Sequence, residues 1–126
     1  MKDLIAFVAA SDLRRARAFY EGTLSLRVIG EEPFALVLDV GGTMLRVSRV
    51  DKVSIAPYTV LGWTVDDIEA SIDDLARKSV VFERFEGFPQ DARGVWTAGD
   101  GTRVAWFRDP DGNLLSLTQF RPTAAR

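Results

Sequence analysis

Two segments of the chain carry the same hairpin pattern, and this repetition limits the fold more than any other sequence feature. The later segment, Arg103–Phe120, consists of two apolar runs on either side of Asp109-Pro-Asp-Gly-Asn113. Pro110 presets φ for a tight turn and Gly112 accepts a positive φ, so the segment predicts a β-hairpin. Phe34–Ser48 repeats the pattern seventy positions earlier. The matched positions are Asp39 with Asp109, Gly42 with Gly112, and Arg46 with Ser116.

The rest of the chain repeats at a shorter spacing of fifty-five positions, which pairs Ile5 with Val60 and Asp12 with Asp67. The difference of fifteen predicts an insertion in the second half, and Phe85–Gly101 is the obvious place for it. Long loops in compact domains more often carry functional residues than not, although a surface loop without a function remains the alternative.

Hydrophobic periodicity and turn signals predict the same order of elements in both halves, namely strand, helix and three strands. In the first half, Ser11 or Asp12 caps the helix and Gly22 ends it; in the second, Asp66 caps the helix with Glu69 as its capping-box partner. The predicted strands are 4–9, 24–29, 34–40 and 44–50, followed by 58–65 and the two arms of the C-terminal hairpin. We therefore expect an α+β fold in a single domain of residues 1–122, with one βαβββ module at about 1–52 and a second at about 53–122.

Composition limits the partners of the chain. A formal charge of −2, with 16 basic and 18 acidic residues, provides no basic field for nucleic acid, and there is no basic amphipathic face for a membrane surface. No run approaches the ~18 apolar residues of a spanning helix, and Met1-Lys-Asp-Leu4 lacks the apolar core of a signal peptide, so we expect a cytoplasmic protein.

The chain has no cysteine and no histidine. The first absence excludes disulfides and thiolate nucleophiles, and the second excludes Ser-His pairs, imidazole acid–base chemistry and nitrogen metal ligands.

Two motifs carry a resemblance to a known family: Ser11-Asp-Leu-Arg-Arg-Ala-Arg-Ala-Phe-Tyr20 after the first strand, and Trp106-Phe-Arg-Asp-Pro-Asp-Gly-Asn-Leu-Leu-Ser-Leu117 near the end. Together with the tandem βαβββ order, they resemble the vicinal oxygen chelate superfamily, which includes glyoxalase I, extradiol dioxygenases and bleomycin-resistance proteins. The resemblance covers about Leu4 to Phe120. It implies open, curled mixed sheets with the helices outside and a concave cleft that holds the site. It identifies the fold well and the activity poorly.

In metal-dependent members of that superfamily, each module supplies one ligand from its first strand and one from its last. Carried onto this chain, those positions are Ile5, Arg46, Val60 and Ser116. Two hydrocarbons, a permanent cation and a neutral hydroxyl do not hold a divalent ion against water. We therefore expect no metal and no cofactor, and we assign no catalytic residue.

Strand alternation predicts which side chains face the cleft, because successive residues point to opposite sides of a sheet. It indicates an apolar, aromatic cleft with a few polar groups, as small-molecule sites usually have. Val37 and Trp63 are expected on the opposite side, under the helices. The predicted ligand-binding residues are Phe7, Phe34, Leu36, Arg46, Trp96, Trp106, Arg108 and Ser116.

Several of these residues have a second interpretation. Arg46 either pairs with an internal acid that the sequence does not identify or awaits an anionic or carbonyl-bearing ligand. Trp106 fits a plain core or a dimer contact equally well. Asp109 and Asp111 look like paired acid–base carboxylates, but turn residues are the favoured interpretation.

The resulting functional hypothesis is a metal-free protein that sequesters an aromatic or amphipathic small molecule, similar to the bleomycin-resistance branch. One alternative is a metal-independent enzyme that uses Glu83, Glu86 or Tyr58 for proton transfer. Others are a binding or regulatory module without turnover and, against the lost ligand positions, a metal-dependent glyoxalase- or dioxygenase-type enzyme. Exposed edge strands also predict a symmetric homodimer.

Overall fold

Each half of the chain forms its own four-stranded sheet, as the internal repetition predicts. The computed structural model describes residues 1–122. It divides the chain into two units. The first unit comprises Met1–Ile55 with Asp109–Asn113, and the second comprises Ala56–Arg108 with the chain from Leu114 onward. The α+β class with two tandem βαβββ modules is confirmed.

The sheet of the first unit is mixed and open. Its strand order is β1-β4-β3-β2, with β1 parallel to β4 and the other neighbours antiparallel. The elements are β1 (Ile5–Ala10), α1 (Leu13–Arg17), β2 (Arg27–Glu32), β3 (Ala35–Val40) and β4 (Thr43–Arg49).

The first helix begins at a predicted cap residue, but its α-helical part ends at Arg17, before the predicted end at Gly22. The Asp12 carboxylate accepts hydrogen bonds from the backbone N–H groups of Arg14 and Arg15, so Asp12 is the cap. After α1 the chain widens into a π-helical turn, Ala18–Thr23, closed by a bond from Leu24 N to Phe19 O. Leu24 caps this turn, and Ser25 has a φ of 60°, which is not a strand conformation, so the first residues of the predicted strand lie outside β2. The prediction of a strand at 24–29 is therefore wrong by three residues.

One face of this sheet packs against the first helix and forms the core of the unit. The sheet contributes aliphatic side chains from β1, β3 and β4, and the helical segment contributes Ala16 and Tyr20. The buried strand residues on this face include Val8, Ala10, Leu36, Leu38, Leu45 and Val47.

The second unit repeats this topology with the strand order β5-β8-β7-β6, again with the first and last strands parallel. Its helix is capped by Asp67, whose carboxylate accepts from Ala70 N, and not by Asp66 as predicted. The elements are β5 (Leu61–Thr64), α2 (Ile68–Ala76), β6 (Trp96–Thr97), β7 (Arg103–Arg108) and β8 (Leu114–Gln119).

The core of the second unit lies between its sheet and α2. Ile68 and Ile72 of the helix pack over β7 and β8. The buried side chains that they cover are Ala105, Phe107, Leu115 and Leu117. The predicted insertion lies between α2 and β7 and contains β6.

The turn Asp109–Asn113 belongs to the first unit because its side chains bond there. Tyr20 Oη donates to Asp109 Oδ2 at 2.7 Å, and Asn113 Nδ2 donates to the same oxygen and to the Ala9 carbonyl. Burial of the phenol, aided by the Asp109 carboxylate, raises the pKa of Tyr20 well above its ordinary range, so the phenol stays a donor. The interpretation of Asp109 as a turn residue is confirmed.

Among residues 1–122, no helix has both the length and the apolar character needed to cross a lipid bilayer.

We predict that Tyr20→Phe destabilises the protein by about 1–3 kcal/mol. The substitution removes a hydrogen bond to a carboxylate inside the core, and bonds to charged groups contribute that much. The measurement is the free energy of unfolding in urea.

The control is Tyr58→Phe, since Tyr58 is 65% exposed and no hydrogen bond of its hydroxyl is found within residues 1–122. It should change the unfolding free energy by less than about 0.5 kcal/mol. Equal effects of the two substitutions would contradict the role given to the Tyr20 hydroxyl.

Candidate functional site

The face of the second sheet that is turned away from α2 carries four of the eight predicted site residues. Cross-strand partners lie on the same face of a sheet. Trp106 pairs with Ser116, which in turn pairs with Gly62 on β5. Trp96 pairs with Val104, two residues before Trp106 on the same strand. The structure thus brings Trp96, Trp106 and Ser116 together, and we call this surface the open face of the second unit.

Four aromatic rings form a cluster on this face, and two of them come from the insertion. Phe88 stacks on Trp96 with ring centroids 5.5 Å apart and an interplanar angle of 26°. Phe85 and Phe88 each meet Trp106 edge-on, at centroid distances of 5.6 and 5.7 Å. Phe88 is 40% exposed, so the outer side of the cluster is open to solvent. We call Phe85, Phe88, Trp96 and Trp106 the aromatic cluster.

The side chain of Gln90 holds the insertion in this conformation. Its Nε2 donates to the carbonyls of Glu83 and Gly94, at 3.0 and 2.8 Å, and its Oε1 accepts from Phe85 N at 2.8 Å. Gly94 has a φ of +89°, a value that favours glycine. These bonds fix the two ends of the loop and so position Phe85 and Phe88 over the tryptophans.

Two polar side chains beside the aromatic cluster, those of Trp106 and Arg108, are hydrogen-bonded to neighbouring side chains. Trp106 Nε1 donates to Thr59 Oγ1 at 3.2 Å, so the indole extends from β7 across β8 towards the start of β5. Arg108 Nε donates to Glu83 Oε1 at 2.9 Å, in an ion pair whose side chains are 37% and 32% exposed. The open face of the second unit therefore carries a neutralised cation beside its aromatic rings.

In the first unit, Arg46 lies on the sheet face that does not contact the helix. Its register partners there are Phe7 on β1 and Val37 on β3. Arg46 Nη2 donates to Glu32 Oε1 at 2.7 Å. The guanidinium lowers the pKa of Glu32, which keeps the pair charged. Of the two interpretations of Arg46, the internal ion pair is the one that the structure shows.

Two face assignments in the first unit are wrong. Leu36 pairs with Val47 and is fully buried on the helix side, whereas Val37 shares the face of Arg46. The two-residue turn between β3 and β4 fixes this register, and the predicted alternation of β3 is one residue out of phase with it. Phe34 lies in the turn before β3 and not in the strand. Phe34 is 70% exposed. A register error of one residue moves every side chain of a strand to the other face.

The metal positions implied by the family do not fit a metal ion. Ile5 and Val60 offer hydrocarbon, Arg46 is a cation already bonded to Glu32, and Ser116 offers one neutral hydroxyl. In the part of the chain that the structure describes, no group of three or more Asp and Glu side chains could take over as ligands. Divalent ions in proteins need several anionic or imidazole donors, and these residues do not supply them.

Sequence reasoning missed four contributors to these faces: Glu32, Thr59, Phe85 and Phe88. Glu32 lies fourteen positions from Arg46, and only the register of β2 on β3 brings the two together. The phenylalanines had a signal, since both occur within the predicted insertion at Phe85-Glu-Gly-Phe88. Their stacking on the tryptophans depends on the loop conformation, which the sequence pattern does not determine.

Comparison with known proteins agrees with this architecture. The uncharacterized protein YraH of Bacillus subtilis (strain 168) is 31% identical over 93% of this chain and 97% of its own length. A glyoxalase/bleomycin resistance protein/dioxygenase from Alicyclobacillus acidocaldarius superposes with a TM-score of 0.70 at 21% identity, over 96% of this chain and 92% of that chain.

TnmS3, an antibiotic binding protein from Streptomyces sp. CB03234, superposes with a TM-score of 0.66 at 21% identity, over 96% of this chain and 97% of its own. Residues 4–117 match the family model itself. The chain belongs to the Glyoxalase/Bleomycin resistance protein/Dioxygenase superfamily.

Proposed function

We propose that this protein binds an aromatic small molecule, without a metal ion, on the open face of its second unit. The observation that carries the proposal is the aromatic cluster, in which two sheet tryptophans are extended by two phenylalanines of an inserted loop. Aromatic side chains that remain solvent-accessible offer a large apolar contact area with fixed geometry. Phe88, the most exposed ring of the cluster, provides the first contact for a flat ligand.

The charge on this face favours an uncharged or weakly charged ligand. Arg108 is paired with Glu83, and the net charge of the whole chain is only −2. A strongly cationic or anionic ligand would find no unpaired opposite charge in the aromatic cluster and would lose its hydration there. Binding then depends on ring stacking and apolar burial.

Binding is favoured over catalysis by the positions of the proposed proton-transfer groups. Glu83 accepts a hydrogen bond from Arg108, and Glu86 and Tyr58 are exposed. A general base needs a position within reach of the reacting proton and a pKa suited to the reaction. The Glu83 carboxylate is already bonded to Arg108, and the other two groups are open to solvent, so none of the three is held beside an enclosed substrate.

A structural neighbour supports this choice, because TnmS3 shares the fold and is an antibiotic binding protein. Fold likeness alone does not transfer the ligand. The identity of the aromatic compound and a location in the cytoplasm stay predictions.

We predict that the protein binds 1-aminoanthracene, a neutral planar fluorophore, and returns it chemically unchanged. Trp106→Ala and Phe88→Ala should each weaken binding several-fold, since an aromatic contact contributes about 0.5–1.5 kcal/mol beyond area burial. Binding is measured by the rise in probe fluorescence, and the recovered probe is checked by mass spectrometry.

The matched control is Phe120→Ala, because Phe120 is 62% exposed and makes no ring contact with the aromatic cluster. It should leave the affinity unchanged. Equal weakening by all three substitutions would place the probe elsewhere, and chemical conversion of the probe would move the protein to the enzyme class.

We also predict that the purified protein contains no stoichiometric zinc, nickel, manganese or iron. The four family ligand positions lack suitable donors, so a chelator should leave the melting temperature unchanged. Elemental analysis is the measurement. A bound metal whose removal lowers the melting temperature would revive glyoxalase-type chemistry.

A homodimer is the expected assembly. Leu4, Ile5 and Phe7 are 76%, 43% and 60% exposed along or beside β1, an edge strand whose remaining backbone groups can pair. We expect Phe7→Lys to reduce the dimer fraction and Phe120→Lys to leave it unchanged, as measured by light scattering over a concentration series. A wild-type protein that is monomeric at micromolar concentration would refute this assembly.

A further inference from the structure

On the open face of the second unit, the hydroxyl of Ser116 has no hydrogen-bond partner among residues 1–122. Ser116 is only 7% exposed, and no hydrogen bond to its Oγ is found within residues 1–122. Every side-chain oxygen or nitrogen in that part of the chain that is fully shielded from solvent does have a partner. The Ser116 Oγ therefore remains accessible to solvent, although the rest of the residue is buried.

Gly62 creates the opening that leads to this hydroxyl. It lies opposite Ser116 on β5, and a Cβ atom at Gly62 would lie 2.6 Å from Ser116 Oγ. Real Cβ atoms do not approach an oxygen so closely, so any side chain at this position would displace the hydroxyl or cover it. Gly62 has an ordinary backbone conformation, and its own φ does not demand glycine. The space in front of Ser116 is thus the structural consequence of glycine at this position.

Trp106 forms the other side of the opening. It is the register partner of Ser116 on β7, and its indole extends across β8 to reach Thr59. A ring that stacks against the aromatic cluster at Trp106 therefore has its edge next to the Ser116 hydroxyl. Arg108, on the same face, is neutralised by its ion pair with Glu83.

We propose that Gly62, Trp106 and Ser116 form a hydrogen-bonding subsite that selects aromatic ligands with an uncharged hydroxyl or carbonyl substituent. A serine hydroxyl both donates and accepts, so it satisfies either group. A hydrocarbon ring without a polar substituent would remove water from the hydroxyl and give it no hydrogen bond in return, which lowers the binding affinity. The subsite rests on the proposed aromatic binding and defines the ligand class more narrowly.

The test compares two probes that differ by one hydroxyl, 2-naphthol and naphthalene, by equilibrium dialysis at neutral pH. The wild-type protein should bind 2-naphthol about three- to tenfold more tightly, the ratio expected for one neutral hydrogen bond. Ser116→Ala should bring this ratio close to one, by weakening 2-naphthol binding and by tightening naphthalene binding, since no hydroxyl is then left unpaired against the hydrocarbon. Gly62→Ala should also reduce the ratio, because its methyl group crowds the hydroxyl.

The matched control is Ser48→Ala, which makes the same substitution on the last strand of the first unit and should preserve the ratio. Melting temperatures of all variants establish that they are folded. A preference for 2-naphthol that persists in Ser116→Ala would overturn the subsite and leave aromatic binding standing. Failure of the wild type to bind either probe, or 1-aminoanthracene, would refute the aromatic site and the subsite together.

Discussion

The hydrogen bonds of the Asp109 carboxylate hold the turn between β7 and β8 in the first unit. Asp109 is 6% exposed, and its carboxylate accepts from Tyr20 Oη, from Asn113 Nδ2 and from the backbone N–H groups of Asp111 and Asn113. A buried carboxylate is stable only when such donors replace its hydration. Because one donor comes from the first helical segment, the turn between β7 and β8 is part of the first unit. The neighbouring Asp111 adds bonds to Ser11 N and Oγ.

The sequence predicted the topology well because the determining signals were local and occurred twice. Alternation in the strands, carboxylate caps before both helices and turn residues in the hairpins each depend on neighbouring residues. The same pattern in both halves left little choice of architecture. Two errors arose in the first unit. The π-helical turn after Arg17 delayed β2, and the pairing of β3 with β4 set the faces of β3 opposite to the predicted ones.

The candidate site was less predictable, because its important contacts join residues that are far apart in the sequence. Trp106 and Ser116 could be placed together, since one hairpin connects them. The partners of the two arginines could not be predicted from the sequence. Glu32 contacts Arg46 because of the register of β2, and Glu83, which contacts Arg108, lies in a segment without regular secondary structure. Likewise, Gly62 gains its significance only from its distance to the Ser116 hydroxyl.

The two faces of each sheet carry different kinds of side chain, and the core of each unit lies on the helix side. The helix-side residues, such as Val47 in the first unit and Phe107 in the second, supply the core, and the strand period keeps them buried. At the positions that the family resemblance implies for metal ligands, Arg46 forms an ion pair, and Ser116 offers a hydroxyl for which no partner is found among residues 1–122. The family match therefore identifies the fold, whereas the chemistry of this member must be argued from the side chains on the sheet faces turned away from the helices.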